Sequence, residues 1–187
     1  MSDIKPNEAA AVAALVLCLS GPVAAQDADT PHARAFLRSY DVVPAVSSPA
    51  VSEFRAWLVP DVSEIGEVRE IRWELRFSGL QGSVWRQADI HFSQRGVNGN
   101  IVALLCTDLQ TVPGFVPECP AEGMVAGVIT PDHVWSLAAT QGIEAGEFLE
   151  LLHAIRAGAV YVDIHSDRFP NGELRGQIVT GRRRHLP

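Results

Sequence analysis

The chain has 187 residues, 47% of them hydrophobic and 20% charged, with a formal net charge of −7. That composition excludes disordered and collagen-like chains and is enough for one core of ordinary size. The acidic balance argues against a nucleic-acid partner, because binding a polyphosphate rests on a cationic surface.

Residues 1–25 read as a signal peptide. An apolar stretch from Ala9 to Leu19 is followed by Gly21-Pro22, and Val23 and Ala25 stand three and one residues before a cleavage site at Gln26. The stretch falls short of the roughly 20 residues a membrane helix needs, so no membrane span is expected after signal removal. Cys18 leaves with the signal. Cys106 and Cys119 remain, separated by "TDLQTVPGFVPE". An even pair in an exported chain predicts a disulfide, with a secreted or periplasmic location.

Residues 26–38 are polar and read as loose. The first β-type run is then "YDVVPAV", closing an N-terminal segment over residues 26–50. "SEFRAWLVP" alternates, with Phe54, Ala56 and Leu58 on one face. In "EVREIRWELRFSGL", Ile71, Trp73, Leu75 and Phe77 form an apolar face, opposite a Glu70-Arg72-Glu74-Arg76 ladder expected to be solvated. "SVWRQADIHFS" places Val84, Arg86, Ala88 and Ile90 on one side and Trp85, Gln87, Asp89 and His91 on the other; Trp85 is a candidate for a binding surface. "IVALLC" and "MVAGVI" are continuous apolar runs, as buried strands show.

"TPDHVWSL" reads as a short helix start, with Thr130 as N-cap and Pro131 at the first helical position. In "GEFLELLHAIRAG", Phe148, Leu151, Leu152 and Ile155 recur at helical spacing and Gly158 stops the helix. "AVYVDIHS" and "ELRGQIVTG" complete a hairpin, and residues 182–187 form a basic tail. Many short strands with one or two short helices predict an all-β fold: an antiparallel immunoglobulin-like β-sandwich or a partly open barrel.

The hairpin holds Val160, Val162, Ile164, Leu174, Gly176 and Ile178 on its core face. The other face presents Tyr161, Asp163, His165, Glu173, Arg175 and Gln177. An antiparallel register opposing Tyr161 to Gln177, Asp163 to Arg175 and His165 to Glu173 pairs every donor with an acceptor.

These segments carry a family resemblance. "VYVDIHSDRFPNGELRGQI" resembles the signature of the CHRD domain, first described in chordin and widespread in bacterial exported proteins. "ADIHFSQRGVNGNIVALLC" resembles the His-Ile-His, Gly-x-Asn-Gly and apolar-strand segment of that family. The resemblance runs from about Ser52 to Thr180, and the domain is placed at residues 51–181. It implies an immunoglobulin-like β-sandwich outside the cytoplasm and, by analogy with chordin, a protein partner. Two positions depart from the pattern: Asp89 stands where the family has the first histidine of His-x-His, and Asp163 where asparagine is common.

The first functional expectation is a non-catalytic binding or structural module without a cofactor. Its polar cluster of His91, Asp163, His165, Glu173, Arg175 and Gln177 acts as scaffold. No Gly-x-Ser-x-Gly, no His-Glu-x-x-His and no phosphate-cradling loop is present. The alternative is a zinc or copper site around His91 and His165, with Asp89 as the carboxylate and Asp163 or Glu173 nearby. Acid–base catalysis by Asp89, Asp163 or Glu173 is a third, weaker reading.

Overall fold

A computed structural model describes residues 31–60, 67–83, 86–108 and 116–181. The signal-peptide reading, Cys18, Trp85 and the basic tail lie outside these residues. Nine strands form one antiparallel sheet: β1 (Ala33–Arg38), β2 (Val51–Pro60), β3 (Val68–Ser78), β4 (Arg86–Phe92), β5 (Asn100–Thr107), β6 (Gly123–Ile129), β7 (Val160–Ser166), β8 (Leu174–Gln177) and β9 (Val179–Thr180). The spatial order is β5-β4-β7-β8-β1-β2-β3-β6, with β9 also paired to β1. The edge strands β5 and β6 approach each other without pairing, so the sheet curls into a nearly closed barrel. Of the two architectures expected, the partly open barrel is the one formed.

Alternation explains the core. Ala33, Ala35 and Leu37 of β1, Phe54 and Ala56 of β2, Ile71, Trp73, Leu75 and Phe77 of β3, and Ala88 and Ile90 of β4 all point inward. Val160, Val162, Ile164, Leu174 and Ile178 join them from the hairpin. Fully burying each of the larger side chains contributes about 1.5–3 kcal/mol. Helix α1 (Phe148–Arg156) packs Phe148, Leu151, Leu152 and Ile155 into this same core, and Gly158 follows its end at φ +68°. No helix among the described residues is long and apolar enough to cross a membrane.

Three local readings are corrected. The first strand is "ARAFLR", inside the stretch read as loose, while residues 42–50 carry no strand. Its inward positions are two alanines and one leucine, a face small enough to hide in a polar composition. The run "MVAGVI" is a half-exposed edge strand, with Met124 and Val128 outward. Pro131–His133 is one turn of 3-10 helix, where the side chains of Thr130 and His133 form a reciprocal cap. The disulfide is present: Cys106 on β5 bonds Cys119. In the arginine–glutamate ladder of β3 the arginines are exposed and the glutamates half-buried, with Arg72 on Glu70 at 3.0 Å and Arg76 on Glu74 at 3.2 Å.

Candidate metal centre

The register of β4 against β7 builds the site. Gln87 opposes His165, Asp89 opposes Asp163, and His91 opposes Tyr161. Successive alternate residues share a face, so these six side chains lie together outside the barrel. Strand β8 extends the face, opposing Arg175 to Asp163 and Gln177 to Tyr161, as the sequence expectation had it. A bare polar sheet face is normally wet. This one is covered, and Asp89, His91, Tyr161, Asp163 and Arg175 are all buried.

The cover is the β4–β5 turn, residues 93–99. Arg175 donates from one guanidinium nitrogen to Asn98 Oδ1 at 2.8 Å and from the other to the Val97 carbonyl, and it lies 3.4 Å from the centre of the Tyr161 ring. The Gly99 amide donates to the Tyr161 hydroxyl at 3.2 Å, and Gln177 donates to the Ser93 carbonyl at 3.0 Å. Gly99 is required here, because a Cβ would sit 1.9 Å from the Phe92 carbonyl oxygen. On the other side Gly172, at φ +114°, passes Asp163 so closely that a Cβ would lie 2.7 Å from its Oδ1.

Within the cover, Asp89 sits between two imidazoles. Its Oδ1 is 3.5 Å from His91 Nε2 and its Oδ2 is 3.5 Å from His165 Nε2. The ligand atoms of Asp89, His91 and His165 all lie within 4.8 Å of one another. Gln87 donates to Asp89 Oδ2 at 3.0 Å.

The tautomers follow from the partners of the other ring nitrogens. His91 Nδ1 lies 2.9 Å from the Gly99 carbonyl oxygen, and His165 Nδ1 lies 3.1 Å from that of Pro170. A carbonyl only accepts, so each Nδ1 carries the hydrogen. In the neutral ring each Nε2 is then a bare lone pair aimed at a carboxylate. Six buried side-chain polar atoms have no partner among the described residues, and four are here: Asp89 Oδ1, His91 Nε2, Asp163 Oδ1 and His165 Nε2. Buried polar atoms are nearly always satisfied. Three of these acceptors, on Asp89, His91 and His165, converge and define a place for a proton or a cation, with the Asp163 carboxylate nearby.

The titration behaviour agrees. Burial pushes Asp163 up, the charge of Asp89 adds to the rise, and His165, His91 and Arg175 only partly oppose it; its carboxyl reaches about 6. Burial works against charge on His91, but the hydrogen-bonding and charge of Asp89, with the Gly99 carbonyl and Asp163, outweigh it and raise its pKa. Burial also raises Tyr161, keeping the phenol neutral; its ring stacks on His91 at 4.7 Å between centroids and 3° between planes.

Two expected pairings are corrected. Arg175 is not hydrogen-bonded to Asp163, although they are cross-strand neighbours, because the turn at Val97 and Asn98 captures its guanidinium first. Glu173 does not meet His165. It precedes β8 and points elsewhere, fully buried, accepting from Ser48 Oγ at 2.7 Å, the Gln81 amide at 2.8 Å and Ser166 Oγ at 2.6 Å. It is a staple between loops and is no candidate ligand. Sequence reasoning missed the roles of Asn98 and Gly99, although the "GVNGN" turn flagged a tight backbone there. It also missed Gln87 and Tyr161 as supports of Asp89 and His91.

No curated protein and no solved structure matches the chain. The CHRD domain matches residues 34–178, which takes in β1 from its second residue, all of β2 to β8 and all the residues of the polar face. The chain therefore belongs to the CHRD-domain family.

Proposed function

We propose that this chain is a non-catalytic binding module working outside the cytoplasm, and that it holds a divalent transition-metal ion, zinc or copper, between His91, His165 and Asp89. The observation that carries this reading is the convergence of unpartnered buried acceptors. At bond lengths of about 2.0–2.1 Å, neighbouring donors of a tetrahedral zinc stand about 3.4 Å apart. Each imidazole stands 3.5 Å from one Asp89 oxygen, His91 from Oδ1 and His165 from Oδ2, so either oxygen is near that spacing from one histidine. Metal-bound histidines characteristically donate their other ring nitrogen to a carbonyl or carboxylate, and both do so here. Imidazole with carboxylate suits zinc and copper. Asp89 and Asp163 together balance a double positive charge. The disulfide supports an oxidising compartment.

The test is metal analysis of protein purified without an affinity tag and dialysed against trace zinc or copper. About one ion per chain is expected, with loss in His91→Ala and in His165→Ala while the fold persists. Equal metal content in wild type and both variants contradicts the reading.

A further inference from the structure

Arg34, Phe36 and Arg38 alternate along the outward face of β1, and Tyr40 is exposed in the 3-10 turn that follows the strand. Phe36 is 57% exposed and Tyr40 73%. Neighbouring strands treat their outward arginines differently. Arg55, Arg72 and Arg76 each contact a glutamate two residues earlier on the same strand, at 2.8, 3.0 and 3.2 Å. On β1 the corresponding positions around Arg34 and Arg38 hold His32, Phe36 and Tyr40, none of which supplies a carboxylate. Neither guanidinium has a hydrogen bond or ion pair among the described residues. Unmatched guanidiniums stand out on a chain of net charge −7.

Phe36 also opens onto a groove of about 470 Å³ lined by Val51, Phe77 and Met124, with Glu53 and Arg76 among its polar lining. Tyr40 also lines a smaller cleft of about 180 Å³ with Asp41, Arg95, Arg175 and Gln177, and the Arg95 guanidinium has no hydrogen bond or ion pair among the described residues. Arginine, aromatic and methionine side chains are the residues enriched at protein interfaces.

From this arrangement we infer that the outward face of β1 docks an acidic polypeptide segment in extended conformation. Arg34 and Arg38 lie four residues apart on one strand, about 13 Å. An extended partner repeats that spacing at its own positions i and i+4, with i+2 on the same face. The recognised pattern is therefore acid-x-apolar-x-acid: the two carboxylates meet Arg34 and Arg38, and the central side chain enters the groove beside Phe36. An anionic polysaccharide satisfies the arginines but offers no side chain to the apolar groove, so a polypeptide fits better. The inference does not use the metal ligands Asp89, His91 and His165, but the surface borders the cover of that site, since Arg38 stands opposite Arg175 on β8 and both Arg175 and Gln177 line the cleft at Tyr40.

The experiment pans a random display library of roughly twelve-residue peptides against the full chain, then measures a synthetic consensus peptide by fluorescence anisotropy. Enrichment of acid-x-apolar-x-acid sequences is expected. Affinity should fall at least about tenfold in the Arg34→Glu/Arg38→Glu double variant and in Phe36→Ser, and should weaken as salt rises from about 50 to about 300 mM. Melting temperatures and metal content of the variants should match wild type; Arg34→Gln/Arg38→Gln serves if charge reversal disturbs folding. Peptides lacking acidic residues, equal binding to the variants, no enrichment at all, or tighter binding of polygalacturonate than of any peptide would each overturn the inference.

Discussion

Asp89 and His165 sit on neighbouring antiparallel strands one diagonal apart, with the Asp89 Oδ2 oxygen 3.5 Å from the histidine Nε2. His91 repeats the relationship from Asp89's own strand. Both imidazoles have their Nδ1 hydrogens committed to carbonyls, so when the rings are neutral neither Nε2 can donate to the carboxylate, and among the described residues only Gln87 donates to Asp89, at Oδ2.

Arg175 holds the cover. Replacing it by alanine leaves the Val97 carbonyl and the Asn98 amide oxygen without their donor and removes the cation from the Tyr161 face. Losing two hydrogen bonds to a charged group, with the cavity that follows, costs about 2–4 kcal/mol. In a domain of this size that lowers the melting temperature by roughly 5–15 °C. Arg175→Lys should recover only part of it, because an ammonium cannot reproduce the planar fork. Differential scanning calorimetry reads the result, and an alanine variant melting within about one degree of wild type counts against this role.

Glu173 separates scaffold from site. Its carboxylate serves two hydroxyls and one amide, away from the histidines. Glu173→Ala strands those three donors in a buried place, so a loss of about 2–4 kcal/mol is expected. Metal stoichiometry of whatever remains folded should be unchanged. A Glu173→Gln protein that keeps wild-type stability but fails to bind metal would show that this carboxylate belongs to the site after all.

Acidity should stabilise the metal-free protein. Asp163 has a folded pKa of about 6 against an ordinary 3.8. Between those values the folded chain holds a proton that the unfolded chain does not, so stability falls as pH rises through the window, and the full penalty stands above it. The penalty is at most about 3 kcal/mol at 1.36 kcal/mol per pKa unit. His91, raised above 6.5, acts in the same direction: its contribution is complete below 6.5 and is lost as pH rises through the folded value. EDTA-treated protein should therefore melt higher near pH 5 than near pH 7.5, and Asp163→Asn should flatten that slope. Bound metal reverses the trend, since protons compete for the ligands, so the gain on adding zinc should grow with pH. Parallel slopes in wild type and Asp163→Asn would remove Asp163 from this account.

Much of this was legible in the chain. Period-two alternation located the inner faces of β2, β3, β4 and the hairpin, because Phe54, Trp73, Ile90 and Val162 lie in patterns with large apolar side chains. The same signal failed on β1, where alanine fills two inward positions and little distinguishes buried from exposed. It failed differently on the polar face. Alternation correctly grouped Tyr161, Asp163, Arg175 and Gln177 and set their register, but it carries no information about what lies above a sheet. The turn at residues 93–99 folds over that face, takes Arg175 for its own carbonyl and amide, and thereby leaves Asp163 without the hydrogen bond that its cross-strand neighbour could have supplied. A local pairing argument sees only the two strands, and so assigned to Asp163 the donor that Asn98 holds. Glu173 shows the same limit, since Ser48 and Gln81 are its neighbours only through the fold.

The most direct measurement is X-ray absorption at the zinc edge on protein loaded with one equivalent of zinc. The account predicts two imidazole nitrogens and at least one carboxylate oxygen at about 2.0–2.1 Å, with no sulfur shell. A spectrum without imidazole scattering, or one dominated by water or thiolate, would mean that His91 and His165 face each other across Asp89 for some reason other than a metal ion.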